Sequence, residues 1–149
     1  MMPVRRSCLP FLALLASACT TVTDWQELRT APMSLGECYD GLAFIAQNDG
    51  FAPDVSTCDR GNGLWQSRWR MRQLGLNRPG RFRLRAEIII EEGSREKGWP
   101  VRFAIDQQKV KDLRRSNDPV EDDWSEDGQD REREAIFGDK LARRLVAKP

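Results

Sequence analysis

The chain contains no histidine. This absence removes the base of Ser-His-Asp and Cys-His nucleophilic sites, the H-E-x-x-H zinc site and histidine pH switching. The chain also lacks a nucleotide-binding Gly-rich loop, a zinc-type cysteine spacing and a nucleophile beside a recognisable base. The paired carboxylates Glu91-Glu92 and Asp122-Asp123 fall in turn or loop contexts that imply no glycosidase cleft. An excess of charge is missing too: 24 Lys and Arg against 23 Asp and Glu leave +1. A balance this close to zero argues against a polyanion partner only if the charge is evenly spread. A non-enzymatic protein without a cofactor is therefore expected. The length of 149 residues allows one ordinary domain. A composition 40% hydrophobic and 32% charged fits a folded body, not a disordered or multi-span chain.

What is present begins at the N-terminus. Arg5 and Arg6 precede the apolar run CLPFLALL at 8–15, followed by Ala16-Ser17-Ala18-Cys19. A basic start, a short apolar stretch and small residues make a secretory signal, expected to span 1–18. The apolar run is far shorter than the roughly 20 residues a bilayer-spanning helix needs. Ala16 to Cys19 resembles a bacterial lipobox, which implies cleavage before Cys19, a diacylglycerol on its thiol and acylation of its amine. More than one acyl chain gives stable anchoring. Ala16 stands where lipoboxes usually carry Leu, and Leu15 lies one step further back. Ala16-x-Ala18 also satisfies ordinary signal cleavage, which would release a soluble periplasmic protein. Thr20 follows the cysteine; by resemblance to Gram-negative sorting, a residue other than Asp there implies the outer membrane, facing the periplasm. Secretion in turn excludes nucleic acid as a partner.

Cleavage would remove Cys8, and acylation would occupy Cys19. Cys38 and Cys58 remain, and an even pair in an oxidising compartment predicts a disulfide. Residues 19–33 read as a lipidated tether, with Trp25 docking on the body or at the membrane interface. A single domain is expected over 34–147. Ser34 with Glu37 forms a capping-box pattern, and Cys38, Leu42, Ile45 and Ala46 recur at helical spacing up to Asp49-Gly50. Strands are expected over 51–58, 64–72, 81–92 and 99–106, each with one buried face. Residues 116–130 read as an acidic loop, and 131–147 as a second helix with Phe137, Leu141 and Leu145 on its stripe. The fold class expected is α+β: two helices on one face of a four-stranded antiparallel sheet, in the order α-β-β-β-β-α.

Residues 38–72 resemble the first half of small outer-membrane assembly lipoproteins such as BamC. The shared features are the amphipathic helix, Gly50-Phe51 opening a strand, the Asp59 to Gly63 turn and the aromatic strand after it. LptE is similar in setting helices on a four-stranded sheet. The resemblance implies an accessory or scaffold role in envelope assembly or maintenance, with an envelope protein as partner and the membrane reached through the anchor.

Counted by segment, the near-neutral balance divides. Residues 64–115 hold 14 basic and 6 acidic residues, and 116–134 hold 2 basic and 9 acidic. Alternation sends Arg68, Arg70, Arg72, Arg81, Arg83, Arg85 and Arg102 to the outward sheet face. Symmetric pairing would place Arg68 opposite Arg85, Arg70 opposite Arg83 and Arg72 opposite Arg81. Like charges directly opposite destabilise a sheet, and a phosphate-bearing ligand would offset that through bidentate guanidinium bonds. In an envelope the candidates are lipopolysaccharide, anionic phospholipid or acidic protein. The rival is self-neutralisation, through Glu87, Asp106 or the acidic segment lying across the face. In that segment Asp123, Ser125, Asp127, Gly128 and Glu134 carry an imperfect EF-hand-like spacing for calcium.

Overall fold

The computed structural model describes residues 22–75, 78–115 and 117–146. The signal region and Cys19 lie outside the described residues, as does Ala147 at the end of the expected domain. The elements are strand β1 (Gln26–Arg29), helix α1 (Leu35–Asn48), strands β2 (Leu64–Gln66), β3 (Arg70–Leu74), β4 (Arg78–Ile88), β5 (Pro100–Val110) and β6 (Trp124–Gln129), and helix α2 (Arg131–Leu145).

The class is α+β, with an antiparallel sheet that has six strands, not four. It is four strands wide. The long central pair β4 and β5 is flanked on each side by two short strands laid end to end: β2 and β3 beside β4, β1 and β6 beside β5. Both unexpected strands are polar. β1 lies inside the expected tether, so that region is not a free linker beyond Gln26. β6 (WSEDGQ) lies inside the expected acidic loop, and its charges gave no period-two apolar signal.

The expected strand at 51–58 does not form. Its only ladder pairing with the sheet is an isolated bridge, Pro53 to Ser67. Pro53 has no N–H to give, and Asp54 accepts the Ser56 amide at 3.1 Å, closing a local turn in place of a ladder. The strand-opening Gly50-Phe51 therefore has another role. Gly50 N–H donates to Gln47 O at 2.9 Å and Phe51 N–H to Ala46 O at 3.0 Å, the two bonds of a Schellman cap on α1. At the other end of α1 the capping box forms as expected: Glu37 N–H donates to Ser34 Oγ at 3.2 Å, and Ser34 N–H to Glu37 Oε2 at 2.8 Å.

Both helices cover one face of the sheet. Cys38, Leu42 and Ala46 of α1 and Phe137, Leu141 and Leu145 of α2 pack on Trp65, Phe82, Leu84, Ala86, Ile88, Val101, Phe103 and Ile105. Edge-to-face rings run from Phe82 through Phe51 and Phe137 to Phe103, with centroids 5.8, 6.3 and 5.2 Å apart. Gly138, a poor residue for a helix interior, is explained by proximity: a Cβ there would sit 2.9 Å from Phe103 Cζ. Trp99 seals one end of the core and donates its indole N–H to Met33 O at 2.9 Å.

The edge of β5 has a gap between the end of β1 pairing at Phe103 and the start of β6 pairing at Asp106. The N-terminus of α2 fills it. Asp130 N–H donates to Ile105 O, and Ile105 N–H donates to the carboxylate of Glu134, each at 2.9 Å. Glu134 is only 1% exposed and also accepts from Gln129 and Arg131. Removing this carboxylate orphans a buried amide. Glu134→Ala is expected to lower stability by about 3 kcal/mol, with Glu134→Gln retaining part of it through its amide oxygen. Urea unfolding checks this, and an alanine variant as stable as wild type contradicts it.

Candidate functional site

The outward face of the sheet carries no helix and is finished by charged and aromatic side chains. Its pattern depends on one irregularity. Ser67 N–H donates to Leu84 O, while Arg70 stands opposite Phe82. Arg68 and Trp69 together therefore oppose the single residue Arg83, which is a β-bulge. The extra residue inverts the alternation beyond it. Trp65 points into the core, but Trp69 and Met71 turn to the outward face.

The expected ladder of opposed arginines is thereby overturned. Gln66 faces Arg85, Met71 faces Arg81, and Arg70 and Arg72 lie opposite Phe82 and Gly80 on the helix side. Both have structural partners there. Arg70 donates to Asp49 O at 3.3 Å, at the negative end of α1. Arg72 pairs with Asp130, the N-cap of α2. Arg68 is exposed at the bulge, its amide donating to Ala52 O at 2.8 Å.

Arg81, Arg83, Arg85 and Arg102 do reach the outward face, and each meets a carboxylate of this chain. Arg81 makes two bonds to Glu121, at 2.9 and 2.5 Å, and donates Nε to Gln108 at 2.8 Å. Arg83 and Arg85 share Asp106, at 3.2 and 2.8 Å. Arg85 Nε also lies 2.7 Å from Asp106 Oδ2, but its N–H is not aimed at that oxygen, so the contact is an ion pair without a hydrogen bond. Arg102 holds Glu87 at 2.7 and 2.5 Å. Four guanidinium groups thus face three carboxylates.

Tryptophans interleave with these pairs. Arg81 sits between Trp69 and Trp124, 4.5 Å from each ring centre, and Arg83 lies 4.4 Å from Trp69. Trp25, just before β1, receives Arg85 and Arg102 at 5.0 Å each. Stacking on an electron-rich ring face stabilises a guanidinium whose edge is already hydrogen-bonded. Trp25 docks on the body as the sequence suggested. Nothing in the local pattern near Trp69 and Trp124 announced their role, because a bulge and a short acidic strand place them.

The segment before β1 is bound to the same face. Thr23 Oγ1 accepts from Arg85 at 2.8 Å, Asp24 N–H donates to Gln129 at 2.9 Å, and Arg131 holds the Asp24 carboxylate at 2.6 Å. A shallow hollow is lined by Val22, Thr23, Arg83, Arg85, Asp106 and Gln129, among others. A separate cleft of about 280 Å³ opens where α1 ends and α2 begins, and its Arg72 and Lys140 pair there with Asp130 and Asp49.

The calcium spacing does not converge. Ser125, Asp127 and Gly128 lie on an extended strand, Asp127 binds Lys109 and Gln107 at 2.6 and 2.8 Å, and Glu134 points to Ile105. Among the described residues no three carboxylates or thiols gather as metal ligands.

The expected disulfide is not formed either. Cys38 and Cys58 are free thiols. Cys38 is fully buried under α1, and burial pushes its thiol up to about 12. Cys58 belongs to the turn that replaced the expected strand, and its Sγ faces the backbone of Gln66, donating to its oxygen at 3.3 Å. No family model, curated protein or solved structure matches the chain.

Two outcomes follow. A thiol reagent applied to the native protein is expected to modify half-buried Cys58 and spare Cys38 until unfolding, read by peptide mass mapping. Resistance of both, relieved by a reductant, would mean a bridge. Acid should weaken the internal pairs on both sides of the sheet, Glu121 with Arg81 outward and Asp127 with Lys109 and Gln107 on the helix side. The hydrogen bonds from Arg81 hold the Glu121 carboxyl below its ordinary value. At Asp127 burial pushes upward, but the bonds from Lys109 and Gln107 outweigh it and the carboxyl is lowered. Carboxylates depressed by folding contribute stability that is complete above their unfolded pKa and lost as pH falls through the folded one. The urea midpoint is therefore expected to hold above about pH 5 and to fall below about pH 4, less steeply in Glu121→Gln. A midpoint flat down to about pH 3 contradicts this.

Proposed function

We propose that this chain is a non-catalytic outer-membrane lipoprotein. Acylated Cys19 holds it on the periplasmic side, where it serves as an accessory or scaffold in envelope assembly or maintenance. The observation that carries the reading is the docked start of the fold. Thr23, Asp24 and Trp25 are bound to the sheet and β1 completes its edge, so only Thr20, Thr21 and Val22 separate Cys19 from the folded body. A lipid at Cys19 would position the whole domain at the membrane, as suits a scaffold presented to other envelope proteins.

The fate of the carboxylates supports the non-catalytic part. Glu87, Asp106, Glu121, Asp127 and Asp130 are each engaged by arginine or lysine. The bonds from Arg81 hold the Glu121 carboxyl, and those from Lys109 and Gln107 the Asp127 carboxyl, below the ordinary value, whereas a general acid needs a carboxyl that retains its proton near neutral pH. The same pairing reduces the appeal of a lone polyanion site, because such a ligand must displace carboxylates already in place.

A second reading, a soluble periplasmic binding module for an anionic ligand or acidic protein, is favoured by Ala16-x-Ala18, which suits ordinary signal cleavage. Intact mass of the mature N-terminus separates the two. The anchored reading expects a diacylglyceryl, N-acylated Cys19, accumulation of uncleaved precursor under globomycin, and loss of the membrane fraction in Cys19→Ala. An unmodified N-terminus and a soluble wild-type protein would sink it.

A further inference from the structure

We infer that the outward sheet face rests on the phospholipid headgroup layer of the leaflet that holds the Cys19 anchor, with the two helices turned away from the membrane. The inference rests on the anchored reading above and adds an orientation and a contact surface to it.

Chain length imposes the orientation. Val22 lies over the outward face, beside Arg83, Arg85, Asp106 and Gln129. Thr20 and Thr21 lie between it and Cys19, and three steps of a fully extended chain span at most ~3.6 Å each, or ~11 Å. The acyl chains must therefore enter the bilayer within that distance of the hollow that Val22 lines on this face. The far surface of the helix layer stands roughly 15 Å behind the sheet, from a packing distance of ~10 Å plus one helix radius. That surface cannot lie against the bilayer while the anchor is inserted.

The chemistry of the face fits a headgroup layer and not the hydrocarbon beneath it. Trp25 and Trp69 are half-buried there, each with a ring face against guanidinium. Indole rings favour the level of the headgroups, where one side is apolar and the other wet. Arg83, Arg85 and Arg102 remain partly exposed beside Asp106 and Glu87. This alternation of cation and carboxylate can meet the phosphate and ammonium groups of phosphatidylethanolamine at once, which a uniformly basic face would not do. Exposed Met71 stands on the same face, opposite Arg81. Among the described residues no element of the chain covers this face as the helices cover the other.

The test uses the acylated full-length protein purified from membranes. It is reconstituted in phosphatidylethanolamine and phosphatidylglycerol vesicles carrying a headgroup-nitroxide phosphatidylcholine, and tryptophan quenching is read. Trp65 and Trp99, buried with the core, form the shielded background, and Trp124, buried on the outward face beside Arg81, contributes alike to every variant. Wild type is expected to be quenched, with the quenched amplitude falling at least about twofold in Trp25→Phe and again in Trp25→Phe with Trp69→Phe. Phe44, 55% exposed on α1, supplies the control on the opposite layer: in Phe44→Trp the new indole should escape quenching. Should Trp69→Phe disturb folding, judged by near-ultraviolet circular dichroism, Trp25→Phe and Phe44→Trp decide alone. Absence of quenching in wild type, or quenching of the Phe44→Trp indole as strong as that of Trp25, overturns the orientation while an acylated Cys19 leaves the anchored reading standing. A mature N-terminus without acyl groups overturns both.

Discussion

Asp106 holds two arginines of one strand on a sheet face that neither α1 nor α2 covers, and much of the molecule is arranged around that constraint. A sheet four strands wide with helices on one side must complete the other side from its own side chains. Arg83 and Arg85 point the same way from β4, and without a shared carboxylate they would repel each other. Asp106 stands across from Arg83 on β5 and lies mostly out of solvent. The neighbouring pairs repeat the solution. Glu87 serves Arg102, and Glu121, itself 78% exposed, reaches in to an Arg81 side chain that is 7% exposed. An exposed ion pair contributes little. The value here lies in letting buried guanidinium stems pack between tryptophans without leaving a charge unpaired.

The β-bulge at Arg68 and Trp69 decides which arginines join this arrangement. A single extra residue moves Arg70 and Arg72 to the helix side, where one caps the end of α1 and the other binds the N-cap of α2. It also brings Trp69 to the outward face, between Arg81 and Arg83. The same local event therefore ties the sheet to both helices and completes the aromatic lattice opposite. Glu134 plays a matching part at the other edge, where its carboxylate stands in for a missing strand partner of Ile105.

These features bear directly on the functional reading. The polypeptide from Thr23 onward is part of the folded face, so an anchor at Cys19 would act on a rigid body and not at the end of a long tether. Arginine pairing leaves the outward face close to electrically balanced, with four guanidinium groups against three carboxylates. On the proposed membrane contact a balanced surface would need no highly charged ligand, and exposed Phe44 and Ile136 would lie on the layer away from it.

Local chemistry was legible in the sequence. Ser34 with Glu37 specified the start of α1, the Phe137, Leu141 and Leu145 stripe specified α2, and alternation through Phe82, Leu84, Ala86 and Ile88 specified the central strand, because each signal depends on neighbours within a few residues. The α+β class followed from their order. The strand count did not, since β1 and β6 are polar edge strands that owe their form to pairing with β5 and carry no apolar period of their own. The segment charges foretold that basic and acidic halves could cancel, and they do so at Glu121 and Arg81, forty residues apart. Which arginines would cancel, and on which face, was beyond reach: alternation is reliable only until a bulge, and the bulge is fixed by Ser67 bonding to Leu84 across the sheet. The sequence by itself determined the two helices, the central strands, their core stripe and the absence of histidine chemistry. Tertiary structure alone decided the strand register, the separation of the two thiols and the partners of the arginines on the outward face, because each depends on contacts between segments whose separation along the chain no local pattern encodes.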